Sequence, residues 1–259
     1  MLVTIQSANR SSHIEAMEQV LAPIVPLWIV PLSQVTDYSK AQNVVGVDGV
    51  MPMKPKQLNY ALDNGFAKGE IVVTMDDDFV KCVTVRQEGT KFITENASLA
   101  DFIQDMGERL AKSPYYAAGF QSNLNPAWCG SGQTNTGMVL GQLLAHKKSD
   151  IRFDESLTML EDLEYIIAHH SAHGGIVRIN DRMIYFHMES EKNRKEQAGG
   201  YKGQRDKERQ EAALDYISKK YSARVGVDFL RDTEVGTGVT KKMRWKNLNK
   251  PTIFDFMEI

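Results

Sequence analysis

The sequence predicts an α/β protein, a mostly parallel sheet flanked by helices, with a basic C-terminal extension. Three observations carry that prediction. Short β-branched runs alternate with segments whose apolar residues recur at helical spacing. One of these runs, Ile71, Val72, Val73, Thr74 and Met75, ends in three carboxylates, Asp76, Asp77 and Asp78. The composition is that of an ordinary globular protein: 259 residues, 42% hydrophobic and 25% charged, enough to bury one large core or two.

The elements follow in order. Residues 2–7 read as a first strand that delivers Ser7, Asn9 and Arg10 to a sheet edge. Ser11 and Ser12 suit the cap of a helix carrying Ile14, Met17, Val20 and Leu21 on one stripe, ended by Pro23 and Pro26. Residues 27–30 form a second strand stopped by Pro31, and residues 44–47 a short one within a loop. A helix opens at Pro55, because proline suits a first helical turn, and presents Leu58, Ala61 and Leu62 to one side. Asn64–Gly65 or Lys68–Gly69 ends it, and Lys56 or Asn59 on it could reach a nucleotide.

After the acidic triplet, residues 80–85 and 92–94 suggest a small hairpin. Leu99, Phe102, Ile103, Met106 and Leu110 make one apolar stripe, so residues 98–112 are an amphipathic helix. Residues 115–121 are a strand, and 122–133 a loop around Trp128. Residues 135–140 start a strand or a short helix. Leu163, Ile166 and Ile167 mark another helix, with Glu161 and Asp162 in its first turn, where the helix dipole favours negative charge. Gly174 and Gly175 end it. Residues 176–179 and 183–187 read as two last strands joined by a turn at Asn180 and Asp181, with His187 at the end of an apolar run.

The acidic triplet is the chemical focus. Adjacent carboxylates at a strand end repel one another unless a cation sits among them. A hard divalent cation, Mg²⁺ or Mn²⁺, relieves that repulsion and keeps positions open for phosphate oxygens. Ligands of open α/β sheets bind beyond the carboxyl ends of the strands, which is where the triplet falls.

The ordered set of Asn9 and Arg10, Lys56 and Asn59, the triplet, Thr136 and Gly137, then Phe153, Asp154 and Glu155, Glu161 and Asp162, and His187 resembles the nucleotide-sugar-dependent glycosyltransferases of the GT-A fold. The resemblance covers residues 1–190, taken as a GT-A (Rossmann-like) catalytic core, with residues 191–259 as a lid and basic helical extension packed on the same domain. It implies that Asp76 meets the ribose and that Asp78, with Asp76 and His187, holds Mn²⁺ or Mg²⁺ against the diphosphate of a nucleotide sugar, UDP-sugar first among them. Asp77 belongs to the same site. The triplet has Asp in all three places, so the identity of the metal-bound carboxylate stays open. Asn9 and Arg10 face the nucleotide, and Thr136 and Gly137 lie near the sugar. Asp162, beside Glu161, is the general base of an inverting displacement, a role Glu164 could share.

The remaining readings concern the acceptor. Residues 191–209 are strongly charged around Gly199, Gly200 and Gly203, as in a lid or a solvated loop leading to a helix over 208–221. Lys241, Lys242, Arg244 and Lys246 surround Met243 and Trp245 without an acid, a pattern that suits a phosphate backbone with a stacking platform. Compact size and this basic tail resemble the phage TET-associated glycosyltransferases, which implies DNA as partner and the hydroxyl of 5-hydroxymethylcytosine as acceptor. A glycan, protein or small-molecule acceptor, and a catalytically silent nucleic-acid-binding module, are the competing readings. A nucleotidyltransferase lacks support, since no Gly-rich N-terminal loop with a basic signature is present. Net charge is −2, so any preference for nucleic acid is local. Cys82 and Cys129 lack metal-ligand spacing and fit reduced thiols. No apolar run approaches the ~20 residues that cross a bilayer, and no signal peptide is read, so the expected site of action is the cytoplasm, the host's if the chain is phage-encoded.

Overall fold

The structure is a computed structural model, and it describes residues 1–49, 54–130, 132–187, 207–223, 225–229 and 241–245. The chain begins with β1 (Leu2–Gln6), α1 (Ile14–Leu21), β2 (Leu27–Pro31), β3 (Val44–Val47), α2 (Lys54–Ala67) and β4 (Val72–Asp76). A hairpin follows, β5 (Phe79–Glu88) and β6 (Lys91–Asn96), then α3 (Leu99–Ala111) and β7 (Ala117–Gln121). Next come β8 (Gln133–Thr134), β9 (Val139–His146), α4 (Glu161–His173), β10 (Val177–Ile179) and β11 (Arg182–Phe186). The last described elements are α5 (Lys207–Lys220), β12 (Val225–Phe229) and β13 (Lys241–Trp245).

The main sheet runs β3-β2-β1-β4-β9-β7-β10-β8. The first four strands pair in parallel and β10 lies parallel to β7. β9 and β8 are antiparallel to their neighbours. The α/β, mostly parallel expectation therefore holds. Alternate residues of each strand feed two cores. Val3, Ile5, Val73 and Met75 pack with Met17 of α1 and with Phe102, Ile103 and Met106 of α3. Val72 and Ile29 pack on the other face with Leu58 and Leu62 of α2, Ile166 and Ile167 of α4, and Leu214 and Ile217 of α5. Each such side chain contributes about 1.5–3 kcal/mol when fully buried.

Local chemistry explains most boundaries. Ser98 caps α3 by accepting from Asp101 N at 3.3 Å. α2 runs through Gly65, where a Cβ would collide with Val72, so glycine there lets helix and strand approach closely. The helix stops before Gly69, which has φ +69°.

Three expectations are corrected and one left open is resolved. Residues 176–179 and 183–187 are not a hairpin: β10 joins the main sheet, whereas β11 crosses to pair with β5 in a separate sheet, β11-β5-β6. Of the two readings open for residues 135–140, the strand start holds: β9 begins at Val139 and runs antiparallel to β4 as far as His146. Residues 241–245 are a strand paired with β12, not part of a helix. Val20 is exposed, because α1 turns only Ile14, Met17 and Leu21 inward. The expected lid around residues 191–206 lies outside the described residues, as does Lys246 of the basic run.

Candidate functional site

β1 and β4 are adjacent and parallel, in a register that sets Gln6 beside Asp76. The chain leaving β1 and the acidic triplet leaving β4 therefore arrive at one place, the carboxyl edge of the sheet. The middle carboxylate turns inward. Asp77 is 4% exposed and accepts from Arg10 Nη1 at 2.7 Å and from Ser7 Oγ. Ser7 Oγ also pairs with the Tyr38 hydroxyl at 2.6 Å, and that hydroxyl accepts from Arg10 N at 3.0 Å. His13 Nδ1 lies 2.8 Å from the Asp77 carbonyl. Asp77 is thus a brace that fixes Arg10, while Arg10 Nη1 also reaches Asp78 Oδ2 at 3.3 Å. Asn9 sits in the left-handed region (φ 58°), which Asn tolerates better than most residues, and exchanges two hydrogen bonds with Gln34 at 2.7 and 2.8 Å.

The opposite side of the site comes from α2 and α4. Lys54 Nζ lies 3.0 and 3.1 Å from the two oxygens of Asp76 and 3.6 Å from Glu161 Oε1. Leu160, which precedes Glu161, has φ 60°, a left-handed conformation that costs about 1–2 kcal/mol for such a residue. That strained residue starts α4 so that Glu161 is buried against Lys54 while Asp162 is half-buried beside it. Asp162 Oδ1 accepts from Leu163 N at 2.8 Å. A Cβ at Gly141 of β9 would overlap the Asp162 side chain, so glycine at 141 makes room for the acid.

Charge is unbalanced here. Among the described residues, Asp76, Asp77, Asp78, Glu161 and Asp162 face two cations, Arg10 and Lys54. Burial, then Asp76 and Asp77, push the Asp78 carboxyl up to about 6 against the opposing pull of Arg10 and Lys54. Burial likewise raises Glu161, with Lys54 working against it. Asp78 Oδ1 is buried and has no hydrogen-bond partner among the described residues.

The structure brings Arg10, Asp76, Asp77, Asp78, Glu161 and Asp162 together. It treats the other expected residues differently. His187 is tied to the triplet by its main chain, its N–H donating to Asp78 O at 2.9 Å, while the residue is exposed. Among the described residues, no three His, Cys, Asp or Glu side chains gather as metal ligands. Asn59 is consumed in holding the loop before α4. Its amide pairs with Phe153 O and N at 3.0 and 2.9 Å and with Glu155 Oε1 at 3.0 Å. Lys56 is half-buried and takes no part in the Lys54 ion pairs. Thr136 is half-buried, and its carbonyl accepts from Thr134 Oγ1. Gly137 (φ 92°) lies against Arg178, with its carbonyl 3.2 Å from His170 Nε2.

Glu164, the alternative base, is buried and accepts from Lys220 Nζ at 2.8 Å and from the Tyr221 hydroxyl. Asp154 accepts from the same Lys220 at 2.8 Å, from Tyr216 at 2.6 Å and from Ser156 Oγ and N. These two carboxylates fasten α5 to the loop before α4 and to α4 itself.

Sequence reading missed Lys54, Tyr38, Gly141 and Leu160. Only Lys54 left a signal: a lysine at a helix N-terminus opposes the dipole and therefore points to an anionic partner. A cleft of about 380 Å³ opens nearby beyond β2 and β3, lined by Pro31, Leu32, Ser33, Val47, Asp48 and Gly49. No protein-family model matches this chain, and no curated protein matches it significantly.

Proposed function

We propose that this chain is a metal-dependent glycosyltransferase that moves a sugar from a nucleotide sugar, UDP-sugar first among candidates, to an acceptor hydroxyl with inversion. The observation that carries the reading is the meeting of the Asp76–Asp78 strand end with Glu161 and Asp162 at one sheet edge, where, among the described residues, acids outnumber cations and an Asp78 oxygen has no hydrogen-bond partner. A divalent cation fits that donor set. Mg²⁺ and Mn²⁺ are commonly held by one or two carboxylates plus substrate phosphates, and Asp76 and Asp78 would supply those two. His187, whose main-chain N–H is tied to Asp78 O, would complete the coordination. Such an ion would neutralise charge developing on a departing diphosphate.

The protein's own residues account for the rest. Arg10, braced by Asp77, offers a fixed guanidinium to phosphate oxygens. Asp162 takes the acceptor hydroxyl's proton as that oxygen forms its bond to the anomeric carbon. The bond from that carbon to the phosphate oxygen breaks, and its electron pair leaves with the nucleoside diphosphate. The anchoring of Glu164 by Lys220 and Tyr221 favours Asp162 as the base. The cleft beyond β2 and β3 supports a nucleoside subsite, since Asp48 there accompanies apolar Leu32 and Val47.

For the acceptor, we propose 5-hydroxymethylcytosine in phage DNA. The support is the basic and aromatic alternation of Lys241, Lys242, Arg244 and Trp245 on β13. A thermal-shift screen of nucleotide sugars with and without Mn²⁺ tests the donor. Mn²⁺-dependent stabilisation by one of them is the expected result, and stabilisation by none, in folded protein, defeats the transferase reading. Transfer to hydroxymethylated but not unmodified DNA tests the acceptor; transfer to a glycan or protein instead replaces it.

A further inference from the structure

Glycine weakens a strand interior, because it loses more backbone freedom on folding than alanine and packs no side chain. Gly141 nevertheless stands within β9, and its φ is not in the left-handed region that favours glycine. Alanine would suit the backbone there, so the reason for glycine is space. The three heavy atoms nearest to a Cβ at 141 are Oδ2, Cβ and Cγ of Asp162. Other crowded glycines serve apolar packing: Gly65 meets Val72 and Leu2, and Gly119 meets Val139 and Leu144. Gly141 is matched to an acid of the candidate site instead.

A change of rotamer does not clear this overlap. Turning Asp162 about χ1 moves Cγ and the oxygens but leaves its Cβ, which is rooted in the first turn of α4 and overlaps as well. A methyl at 141 has to push the acid and the start of the helix away from the sheet. The two oxygens of Asp162 also have separate fixtures. Oδ1 accepts from Leu163 N at 2.8 Å, and Oδ2 fills the space over Gly141. Leu160, with φ 60°, makes the turn that starts α4 at this point. Backbone strain on one side and a strand glycine on the other both cost stability, and both converge on one carboxylate, as functional sites allow.

We propose that Gly141 is a positioning residue of the transfer reaction: the space it leaves seats Asp162 so that Oδ2 takes the proton of the acceptor hydroxyl. Gly141 acts only through Asp162. Arg10, Asp76 and Asp78, which serve the diphosphate, belong to the ends of β1 and β4 and keep their places when residue 141 changes. Proton removal depends on near-attack geometry, where a displacement of about 1 Å lowers the rate by about 100-fold. This inference rests on the transferase reading with Asp162 as the base, and it adds a residue that the sequence motifs did not single out.

The test uses the full chain as wild type, Gly141→Ala, Asp162→Gly and the double variant. Asp162→Gly is chosen because it removes the Cβ that alanine at 162 would retain. Nucleoside diphosphate release is followed with Mn²⁺ from UDP-glucose, UDP-galactose, UDP-N-acetylglucosamine and GDP-mannose, with water and then hydroxymethylated DNA as acceptor. In either case the acceptor oxygen bonds to the anomeric carbon, its proton goes to Asp162, and the phosphate oxygen leaves with the electrons of the broken bond. Gly141→Ala should lower kcat by about 100-fold with the donor KM within about threefold, a split that a merely loosened fold does not produce. In the Asp162→Gly background the same change should alter kcat by less than about twofold. Thermal midpoints complete the cycle. Gly141→Ala should lower the midpoint of wild type and raise that of Asp162→Gly, where the strand gains alanine and nothing stands in its way. If Gly141→Ala keeps kcat within about threefold of wild type, the positioning role is overturned and the transferase reading stands. If it lowers both midpoints equally, Asp162 is not what the methyl meets, and the inference is overturned. If Gly141→Ala fails to fold, the double variant decides: folding regained supports the seat, and folding not regained overturns it. If wild type releases diphosphate from none of these donors, the transferase reading falls and takes the inference with it.

Discussion

Two clusters of buried and half-buried carboxylates lie along α4, and they are built to opposite ends. At the helix start, Asp76, Asp78, Glu161 and Asp162 outnumber their cations, and Asp78 is pushed up to about 6. One turn further on, Glu164 shares Lys220 with Asp154, and Tyr216 and Tyr221 add hydroxyl donors. Hydrogen bonds from Lys220, Ser156 and Tyr216 hold Asp154 well below the usual carboxylate range, although its burial works the other way. Both clusters leave one buried carboxylate oxygen without a hydrogen bond, Asp78 Oδ1 and Glu164 Oε2, so an orphaned atom alone does not separate them. What separates them is the sign of the imbalance. The second cluster stabilises its charges and fixes a helix. The first holds charges that disfavour the folded state until a cationic partner arrives, a cost typical of functional sites.

The comparison breaks most visibly on activity. Asp162→Asn should lower sugar transfer by about 10³-fold or more while leaving diphosphate binding intact, since only proton removal is lost. Steady-state rates beside a calorimetric binding constant check this, and transfer within tenfold of wild type would move the base elsewhere. Glu164→Ala should do the reverse. Glu164 is 1% exposed, and removing one partner of a buried pair costs about 3–5 kcal/mol. Urea unfolding should shift by that amount, and α5 amide exchange should accelerate. An unchanged midpoint would mean that α5 is not fastened through this cluster.

The same contrast explains what the sequence revealed. The triplet was legible because an apolar β-branched run ending in three acids is an anomaly within a single stretch. α3 and β3 were legible because their stripe, cap and punctuation are local. The second cluster was not, since Asp154, Glu164 and Lys220 meet only through tertiary packing: Asp154 reads as part of a motif and Glu164 as an alternative base, and nothing local ties either to Lys220. Lys54 and Lys56 illustrate the limit. Two residues along a helix is about 200° of rotation, so the two point to opposite sides, and only packing against β4 decides which one reaches Asp76. β9 was obscured because Leu140, Leu143, Leu144 and Ala145 favour helix about as well as strand, and its neighbours β4 and β7 override that preference. The β10–β11 turn looked like a hairpin because nothing in Asn180 or Asp181 encodes a crossing to another sheet.

A smaller effect comes from a third set of buried ionisable groups on the inner side of α4. His146 contacts Thr74 and Tyr165 at 2.9 Å, and His169 packs against Tyr165 with ring centroids 4.6 Å apart. Burial first, then neighbouring histidines, hold His146 well below its usual value and lower His169 to about 3. Histidines lowered in the folded state contribute stability above the unfolded value near 6.5, and that stability is lost as pH falls through it. At pH 5.5 each should cost about 1.4 kcal/mol relative to neutral pH. The depressed Asp154 loses its contribution only below about pH 4, where the unfolded carboxyl takes up a proton, so the α5 cluster should survive this window. Denaturant midpoints between pH 7.5 and 5.5 should fall in wild type and fall less in His169→Leu. Equal slopes would remove His169 from the account.

The smallest expected effect is the most pointed, because its sign differs from that of Glu164→Ala. Asp78 is raised in the folded state, so its ionised form disfavours folding at neutral pH, and the penalty fades as pH falls from about 6 toward 4. Asp78→Asn keeps the shape, offers an oxygen to Arg10 and removes the charge that Asp76 and Asp77 repel. Loss of the charged Arg10 contact at 3.3 Å offsets part of the gain, leaving the variant about 1 kcal/mol more stable at pH 7.5. The difference should shrink toward pH 4 and close at about pH 3, below the unfolded value of about 3.9, where wild-type Asp78 is neutral in both states. Mn²⁺ should stabilise wild type but not the variant if Asp78 holds the ion. A variant less stable than wild type at pH 7.5 would show that Arg10 supports Asp78 more than the neighbouring acids repel it, and the first cluster would then be structural like the second.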